Sequence, residues 1–432
     1  MGWRRPARPP RSAAPLRPLA RPPSPAADRD DRLPNRWLLL TLLTSGYGAG
    51  AFGMLGISPL SPSLVEGFGL SRLQVAFLVP SVYLGGLFFA LPGGRLADRL
   101  GVRPSLLGGL ALGAVGLFAG ACSPSFLVFL LCLFVAGTGW SVVNPALGKG
   151  IMDVFPPSER GVAMGIKQMG LTLGGVASAL ILPTVAAQFG WRAAIAAGAL
   201  VVALPVVLTW RPLAPLATAG PALTSSGNAS PTDWSWARRP AVCLFFATGL
   251  ILGMVQAAVL SYLPLYAVQG LGFDKIGAGL LVAASQAGGA VSRLGLGLAS
   301  DRWLGGRRSA WVALTGALGC VIFAAYARWS VGAPLAAGLL AFIAGIGAYG
   351  WVGVFFVISA EIGGRTQAGL LSGMAFASIV VGLLTGPTLF GLLLVRWDGY
   401  AAPWTAFAAL AALVTVALLF AGSAIDRECQ RR

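Results

Sequence analysis

Long uncharged apolar stretches fill most of the chain from Trp37 to Ile425. A helix that crosses a bilayer needs about 20 mostly apolar residues. Charged residues divide the chain into eleven stretches of about that length or longer: 37–65, 73–94, 104–148, 168–191, 193–210, 240–273, 276–292, 309–327, 329–360, 366–395 and 399–425. The stretch 104–148 has room for two helices, separated at Cys122-Ser123-Pro124-Ser125. The pattern therefore predicts an all-α membrane protein with twelve transmembrane helices.

The polar segments between these stretches predict how the chain is divided. Nine arginines and many prolines in the first segment disfavour a packed core, although a mis-assigned start is an alternative. A second polar segment is rich in Pro, Ser and Thr and lies near the middle of the chain. We predict a disordered cytoplasmic tail at 1–36 and an N-terminal six-helix bundle at 37–210. A cytoplasmic linker at 211–239 should lead to a C-terminal six-helix bundle at 240–425 and a cytoplasmic tail at 426–432.

The arginines between the predicted helices are distributed unequally over the two sides of the membrane. One set of loops holds Arg95, Arg99, Arg103, Arg160, Arg211, Arg238, Arg239, Arg302, Arg307, Arg308 and Arg365. The opposite loops hold only Arg72, Arg192, Lys275, Arg328 and Arg396. Because positive loops stay in the cytoplasm, we predict a multi-pass protein of the cell (inner) membrane with both termini cytoplasmic.

The composition argues against several classes of function. The chain is 56% apolar and 10% charged, and it lacks histidine although its net charge is +17. A nucleic-acid partner is not expected, because a basic groove needs solvated surface and most of this chain is apolar. The expected partner is the lipid bilayer. The lack of histidine removes His-based zinc sites and triads. We therefore predict no cofactor, no metal site and no catalytic residue.

A short motif repeats between the two predicted bundles. Gly94-Arg95-Leu96-Ala97-Asp98-Arg99 returns as Gly297-Leu298-Ala299-Ser300-Asp301-Arg302, an offset of 203 residues. Each copy lies where an even-numbered span reaches the predicted cytoplasmic side, and each is followed by a glycine and further arginines. The repeat predicts two pseudo-symmetric six-helix bundles.

With this motif, the chain from Trp37 to Ile425 resembles the major facilitator superfamily of secondary transporters, whose loop motif reads roughly G-x-x-x-D-R-x-G-R-R. The resemblance implies that Asp98 holds a cytoplasmic gate closed by facing the N-terminal end of the eleventh span near Thr366. The gating residues that it implies are Gly94, Asp98, Arg99, Arg103, Gly297, Asp301 and Arg302. The alternative is that Asp98 and Arg99 mark a solvated helix end.

Glycines inside the spans are better explained by packing than by nucleotide binding. The run Gly48–Gly53 matches the dinucleotide fingerprint G-x-G-x-x-G, but it lies inside the first span rather than between a strand and a helix. Glycine pairs four residues apart predict close helix contacts at Gly109/Gly113, Gly170/Gly174 and Gly382/Gly386. No G-x-x-x-x-G-K-[ST] loop occurs, so an ion or substrate gradient must supply the energy.

Arg293 is the strongest candidate for contact with a substrate. It precedes Asp301 by eight residues, which places it about 12 Å into a hydrocarbon core about 30 Å thick. A bidentate guanidinium suits a carboxylate or phosphate, whereas the alternative is a structural arginine that reaches Asp301. The segment 292–297 also resembles helix 8 of monocarboxylate carriers, which implies that Arg293 binds the substrate carboxylate.

Further polar residues within the spans complete the predicted site. They are Lys167, Gln168, Asn144, Tyr47, Gln256, Gln286 and Tyr349, to which Tyr262 and Trp351 are added as uncharged candidates. Lys167 either faces the cavity or extends to the cytoplasm. Acidic residues occur only near the ends of the spans, so an exporter of lipophilic cations lacks the buried carboxylate that it needs.

Together these observations predict a secondary active transporter that works by alternating access and is not an enzyme. The predicted substrate is a small organic anion, monocarboxylate-like, carried by proton symport. The alternatives are a multidrug or sugar transporter of the same fold and a membrane receptor or enzyme. A membrane enzyme would need a catalytic cluster in a loop, and the segment 211–239 holds one Asp and no metal-ligand set.

Overall fold

The computed structural model describes residues 2, 35–156, 159–213, 236, 238–303, 308–328 and 333–430. Within these ranges, the side chains of 90–98, 161, 294, 296–303, 365–366, 368–369 and 430 are not described. Almost all of the predicted tail at 1–36 and most of the predicted linker at 211–239 lie outside the described residues. The described part is helical, with no strand.

The helices follow one another with short connections. In chain order, α1 to α12 are Arg36–Leu55, Ser61–Phe68, Leu78–Leu100, Val102–Ala121, Phe126–Val154, Arg160–Thr209, Pro240–Gln269, Lys275–Trp303, Arg308–Arg328, Pro334–Tyr349, Val352–Arg396 and Ala401–Gln430. The short helix α2 lies between the first two spans, and a 3₁₀ turn at Gln74–Phe77 leads into α3.

These helices form twelve membrane spans, as predicted. Among the described residues, nine helical segments are long and apolar enough to cross a membrane. One of them is α6, which contains two spans because Gly190 breaks it at φ 84°, a left-handed conformation that favours glycine. Gly364 (φ 57°) similarly separates two spans within α11, the first of which continues α10. Helices α3 and α8 supply the remaining two.

The two halves pack in the same way. In the N-terminal half, α1 and α4 pack against α6, and α3 packs against α5. In the C-terminal half, α7 packs against α11, α9 against α12, and α8 against α10. The halves meet where α6 contacts α8 and where α3 contacts α11. The prediction of two pseudo-symmetric bundles is therefore confirmed.

Polar contacts join the halves at one end of the molecule. We call the end that carries Arg36 and Gln430 the terminal face, and the other end the opposite face. At the opposite face Lys275 pairs with Glu66, and Arg72 Nη1 lies 2.7 Å from Asp398 Oδ1. The Tyr262 hydroxyl donates to the carbonyl of Arg72 at 3.0 Å. We call these contacts the opposite-face latch, and they close that face.

At the terminal face, ion pairs connect helices within one half. The N-terminal half holds Arg36–Glu159 at 3.0 Å, and the C-terminal half holds Arg239–Glu428 at 2.6 Å. Helix α12 continues to Gln430, past the predicted end of the bundle, because its last turns have partners. The Asp426 carboxylate accepts hydrogen bonds from the amide and the hydroxyl of Ser309. The residues predicted as a terminal tail are therefore partly built into the bundle.

Several helix pairs approach each other at glycine. A Cβ atom on Gly109 would lie 2.7 Å from the carbonyl oxygen of Gly139, closer than real Cβ atoms come. A Cβ atom on Gly382 would lie 2.7 Å from the amide nitrogen of Met254. These close contacts agree with the predicted glycine pairs and require the backbones to touch.

Replacing Gly382 by alanine should therefore destabilise the contact between α7 and α11. Because the clash is with backbone, the helices must move apart, at a cost of about 1–3 kcal/mol. We expect the thermal unfolding midpoint in detergent, followed by size-exclusion chromatography, to fall by several degrees. Gly373→Ala on the same helix is the matched control, since no atom of the described residues lies within 4 Å of a Cβ there. Equal midpoints for the two variants would contradict the packing argument.

Candidate substrate-binding site

A cavity of about 520 Å³ lies between the two halves. We call it the central cavity, and its lining comes from α1, α5, α6, α8 and α11: Tyr47, Asn144, Gly165, Lys167, Gln168, Met169, Thr172, Leu173, Ala290, Arg293, Val352, Gly353 and Phe356. Five of the predicted substrate-binding residues therefore line a single cavity. Because both halves contribute to it, the cavity must change shape whenever the halves move relative to each other.

Lys167 points into the protein rather than towards the terminal face. It lies seven residues into α6, about 10 Å from the helix start, and only 7% of the residue is exposed. Its Nζ atom donates to Asn144 Oδ1 at 2.6 Å and lies 5.0 Å from the centroid of the Tyr47 ring. An ammonium has three donors, so donors remain for a ligand.

Arg293 is held by a helix end. Helix α10 stops at Tyr349 and α11 begins at Val352, so the last carbonyls of α10 lack their usual helical partners. Arg293 Nε donates to the carbonyl of Tyr349 at 3.2 Å, and its Cζ atom lies 6.0 Å from the centroid of the Tyr349 ring. The two terminal nitrogens make no hydrogen bond to a described residue. They can therefore bind a ligand in the central cavity.

The central cavity is electropositive. Among the described lining residues are two cations, Lys167 and Arg293, and no carboxylate. Tyr47 also lines this cavity, and its hydroxyl can donate a hydrogen bond to an anion. Across the part of the chain that is described, no group of three or more His, Cys, Asp or Glu could hold a metal ion. The geometry suits binding of an anion through hydrogen bonds and charge.

A second cavity of about 380 Å³ adjoins the first, and Asn144 lines both. We call it the apolar chamber, and its lining is Met54, Leu55, Ser58, Val79, Val82, Tyr83, Gly86, Trp140, Ser141, Asn144, Pro145, Leu171, Leu260, Phe376 and Val380. Trp140 stacks on Tyr47 with centroids 4.9 Å apart and planes at 6°, so one aromatic pair touches both cavities. Sequence reasoning did not identify Tyr83, Trp140 or Phe376 as site residues, because ordinary packing aromatics give the same pattern.

The other predicted site residues lie elsewhere. Gln286 is buried where α6 meets α8, and a Cβ atom on Gly175 would lie 3.4 Å from its side-chain amide. Gln256 lies on α7, where its buried Oε1 has no hydrogen-bond partner among the described residues. Tyr349 supports Arg293 through its carbonyl. Tyr262 belongs to the opposite-face latch, and the indole of Trp351 donates to a carbonyl of α10.

The structure describes the side chains of only some of the predicted gating residues. The backbones of Gly94, Asp98, Gly297, Asp301 and Arg302 are helical, but the side chains of Asp98, Asp301 and Arg302 are outside what the structure describes. Arg99 is exposed at the end of α3. The guanidinium of Arg103 lies 4.5 Å from the centroid of the Trp210 ring, within the N-terminal half. The gating role of this set stays a prediction.

The fold, the repeat and the cavity between the halves agree with the result of a comparison with protein families. The profile of the Major Facilitator Superfamily matches residues 38–369, so the chain belongs to this family. The chain is thus a multi-pass integral membrane protein. Since this is a family of transporters, the prediction that the chain is not an enzyme is confirmed.

The chain is also similar to individual transporters and to a solved structure. An uncharacterized MFS-type transporter of Mycobacterium tuberculosis is 30% identical over 62% of this chain, and the match spans 59% of that relative's length. The 3-(3-hydroxy-phenyl)propionate transporter of Escherichia coli is 27% identical over 78% of this chain and 81% of its own. The crystal structure of a bacterial homolog of the human lysosomal transporter Spinster, inward-facing and occupied, has a TM-score of 0.71 at 17% identity, covering 92% of this chain and 97% of that one. This likeness shows the fold.

Proposed function

We propose that the chain is a secondary active transporter that moves a small, monocarboxylate-like organic anion by alternating access. The observation that carries the proposal is the pair of cations, Lys167 and Arg293, in a cavity between the halves where the described lining residues include no carboxylate. The two cations come from different halves. An anion that contacts both would therefore bind most tightly in the conformation in which the halves bring the two cations together.

Electrostatics supports an anionic substrate over a cationic or neutral one. Placing a charge in the membrane interior is costly unless a partner compensates it. The polar groups that contact Lys167 and Arg293 directly, the Asn144 amide and the Tyr349 carbonyl, are both uncharged. A bound carboxylate would offset this cost through charge-assisted hydrogen bonds. A cationic drug would be repelled by the same two side chains.

A relative also supports the anion class. The Escherichia coli protein that matches most of this chain is named for a propionate derivative, whose acid group is a carboxylate. Its contribution is to show that a carboxylate is compatible with a related sequence.

We propose that the terminal face lies in the cytoplasm, because the predicted loops on that side carry most of the arginines. The opposite-face latch then closes the outer side, and the structure is an inward-facing state. Proton symport is the proposed coupling. The membrane potential alone opposes entry of an anion, whereas a proton that enters with the anion removes the net charge.

Uptake into proteoliposomes tests the proposal. Purified protein is reconstituted, and labelled monocarboxylates, dicarboxylates and sugars are offered with and without an inward proton gradient. We expect one or more monocarboxylates to accumulate above protein-free liposomes, and the gradient to increase the accumulation. Accumulation of a sugar with no uptake of any carboxylate would replace the anion proposal with the neutral-substrate alternative.

A further inference from the structure

The two cavities lie one behind the other across the membrane. Lys167 and Arg293 are near the terminal-face ends of α6 and α8. The apolar chamber instead includes Val79 and Tyr83, from the beginning of α3 at the opposite face. Since Asn144 lines both cavities, a ligand that binds the two cations can extend past it towards the opposite face.

The chemistry of the two cavities differs. The residues described in the lining of the apolar chamber are mostly aliphatic and aromatic, and none of them is charged. Two of its polar side chains are already satisfied, since Ser58 donates to the carbonyl of Leu260 and Ser141 donates to that of Thr138. A hydrophilic ligand would therefore gain little there, whereas an apolar group would be transferred from water to an apolar surface.

The size of the chamber sets the size of the apolar group. A cavity of about 150 Å³ lined by aliphatic and aromatic side chains binds benzene. The apolar chamber measures about 380 Å³, which is enough for one or two rings or an equivalent alkyl chain. Ser58 and Leu260, which are hydrogen-bonded to each other across the two halves, both lie in the lining, so this contact limits further extension towards the opposite face.

We propose that the substrate is an amphipathic organic anion with an apolar body about the size of one or two rings. Its carboxylate binds Lys167 and Arg293 in the central cavity, and its apolar body fills the apolar chamber. The chamber is thus the specificity-determining part of the site. This inference rests on the proposed function, because it requires an anionic head group at the two cations.

Binding of matched ligands to the purified full-length protein tests the inference. The ligands are 3-phenylpropionate, propionate, which lacks the ring, and 3-phenylpropanol, which lacks the charge. Each buried methylene raises affinity roughly fourfold. With part of the ring's surface left exposed, we expect 3-phenylpropionate to bind at least about tenfold more tightly than propionate. Isothermal titration calorimetry measures all three dissociation constants.

Two variants locate the ring. A Cβ atom on Gly86 would meet only the carbonyl oxygen of Gly137, at 3.9 Å, so Gly86→Leu adds bulk to the chamber. Phe376→Ala instead removes an aromatic contact without crowding. Both should weaken 3-phenylpropionate binding fivefold or more and leave propionate binding unchanged. Gly108→Leu is the matched control, because Gly108 is exposed and no atom lies within 4 Å of a Cβ there.

The outcomes separate this inference from the proposed function. If propionate binds as tightly as 3-phenylpropionate, or if both chamber variants keep the full preference, the chamber does not hold the apolar body and only the inference fails. If 3-phenylpropanol binds as tightly as 3-phenylpropionate, or if no anion binds, the anion site itself is wrong. Phe376→Ala keeps the test decisive if Gly86→Leu does not fold.

Discussion

Replacing Arg293 by glutamine should lower uptake of the organic anion by about 30-fold or more. Glutamine keeps a polar side chain but removes the charge and the planar pair of donors that face the central cavity. Truncating one partner of a buried charge pair costs about 2–5 kcal/mol, and each 1.4 kcal/mol is about tenfold in affinity. Initial rates of uptake in proteoliposomes, measured below saturation, give the effect.

Arg293→Lys should recover only part of the loss, because an ammonium is a point charge without the planar fork. Arg396→Gln is the matched control, since Arg396 lies at the end of α11 beside Trp397 and far from the cavity. It should transport at nearly the normal rate. A folded Arg293→Gln protein with full uptake would remove Arg293 from the site and favour a neutral substrate.

Cross-linking the opposite-face latch should abolish transport reversibly. Alternating access requires the two halves to separate at whichever face is closed. Cysteines placed at Glu66 and Lys275, after replacement of the five native cysteines, can be joined by a cleavable bis-methanethiosulfonate reagent. We expect uptake to fall to background after cross-linking and to return when a reductant cleaves the linker.

The control for this experiment joins two helices of the same half. Arg36 and Glu159 form an exposed ion pair at 3.0 Å between the start of α1 and the residue before α6, and cysteines at these positions should be cross-linked with little loss of uptake. The uncross-linked variants should also transport, because exposed ion pairs contribute little stability, about 0–1 kcal/mol. Normal uptake by a fully cross-linked Glu66/Lys275 pair would show that the latch does not open during transport.

The sequence predicts the architecture well, because membrane insertion imposes simple requirements. A span must be long and apolar, so charged residues separate the spans reliably. The repeated Asp-Arg motif then indicates two halves of equal design. The exact helix ends are harder to predict: α12 continues to Gln430 because Asp426 binds Ser309, a residue 117 positions earlier that no local pattern connects with it.

The sequence identifies only those residues of the candidate site whose burial in a membrane costs much free energy. Arg293 and Lys167 are conspicuous because charges inside a membrane need a reason, and the structure brings both to one cavity. The apolar chamber could not be predicted in the same way. Val79, Leu171 and Phe376 look like lipid-facing or core residues in the sequence, and only the packing of α3, α6 and α11 leaves space between them. The latch likewise pairs loop charges that lie more than 200 positions apart.

Locating a bound anion in a crystal structure tests the assignment of the central cavity and the apolar chamber. A crystal of the protein with 3-(4-bromophenyl)propionate gives an anomalous signal that places the bromine independently of the rest of the ligand. We expect the bromine in the apolar chamber near Trp140 and Phe376, with the carboxylate about 3 Å from the terminal nitrogens of Arg293 and from Lys167 Nζ. A ligand bound with its carboxylate away from both cations would contradict the assignment of this cavity as an anion site.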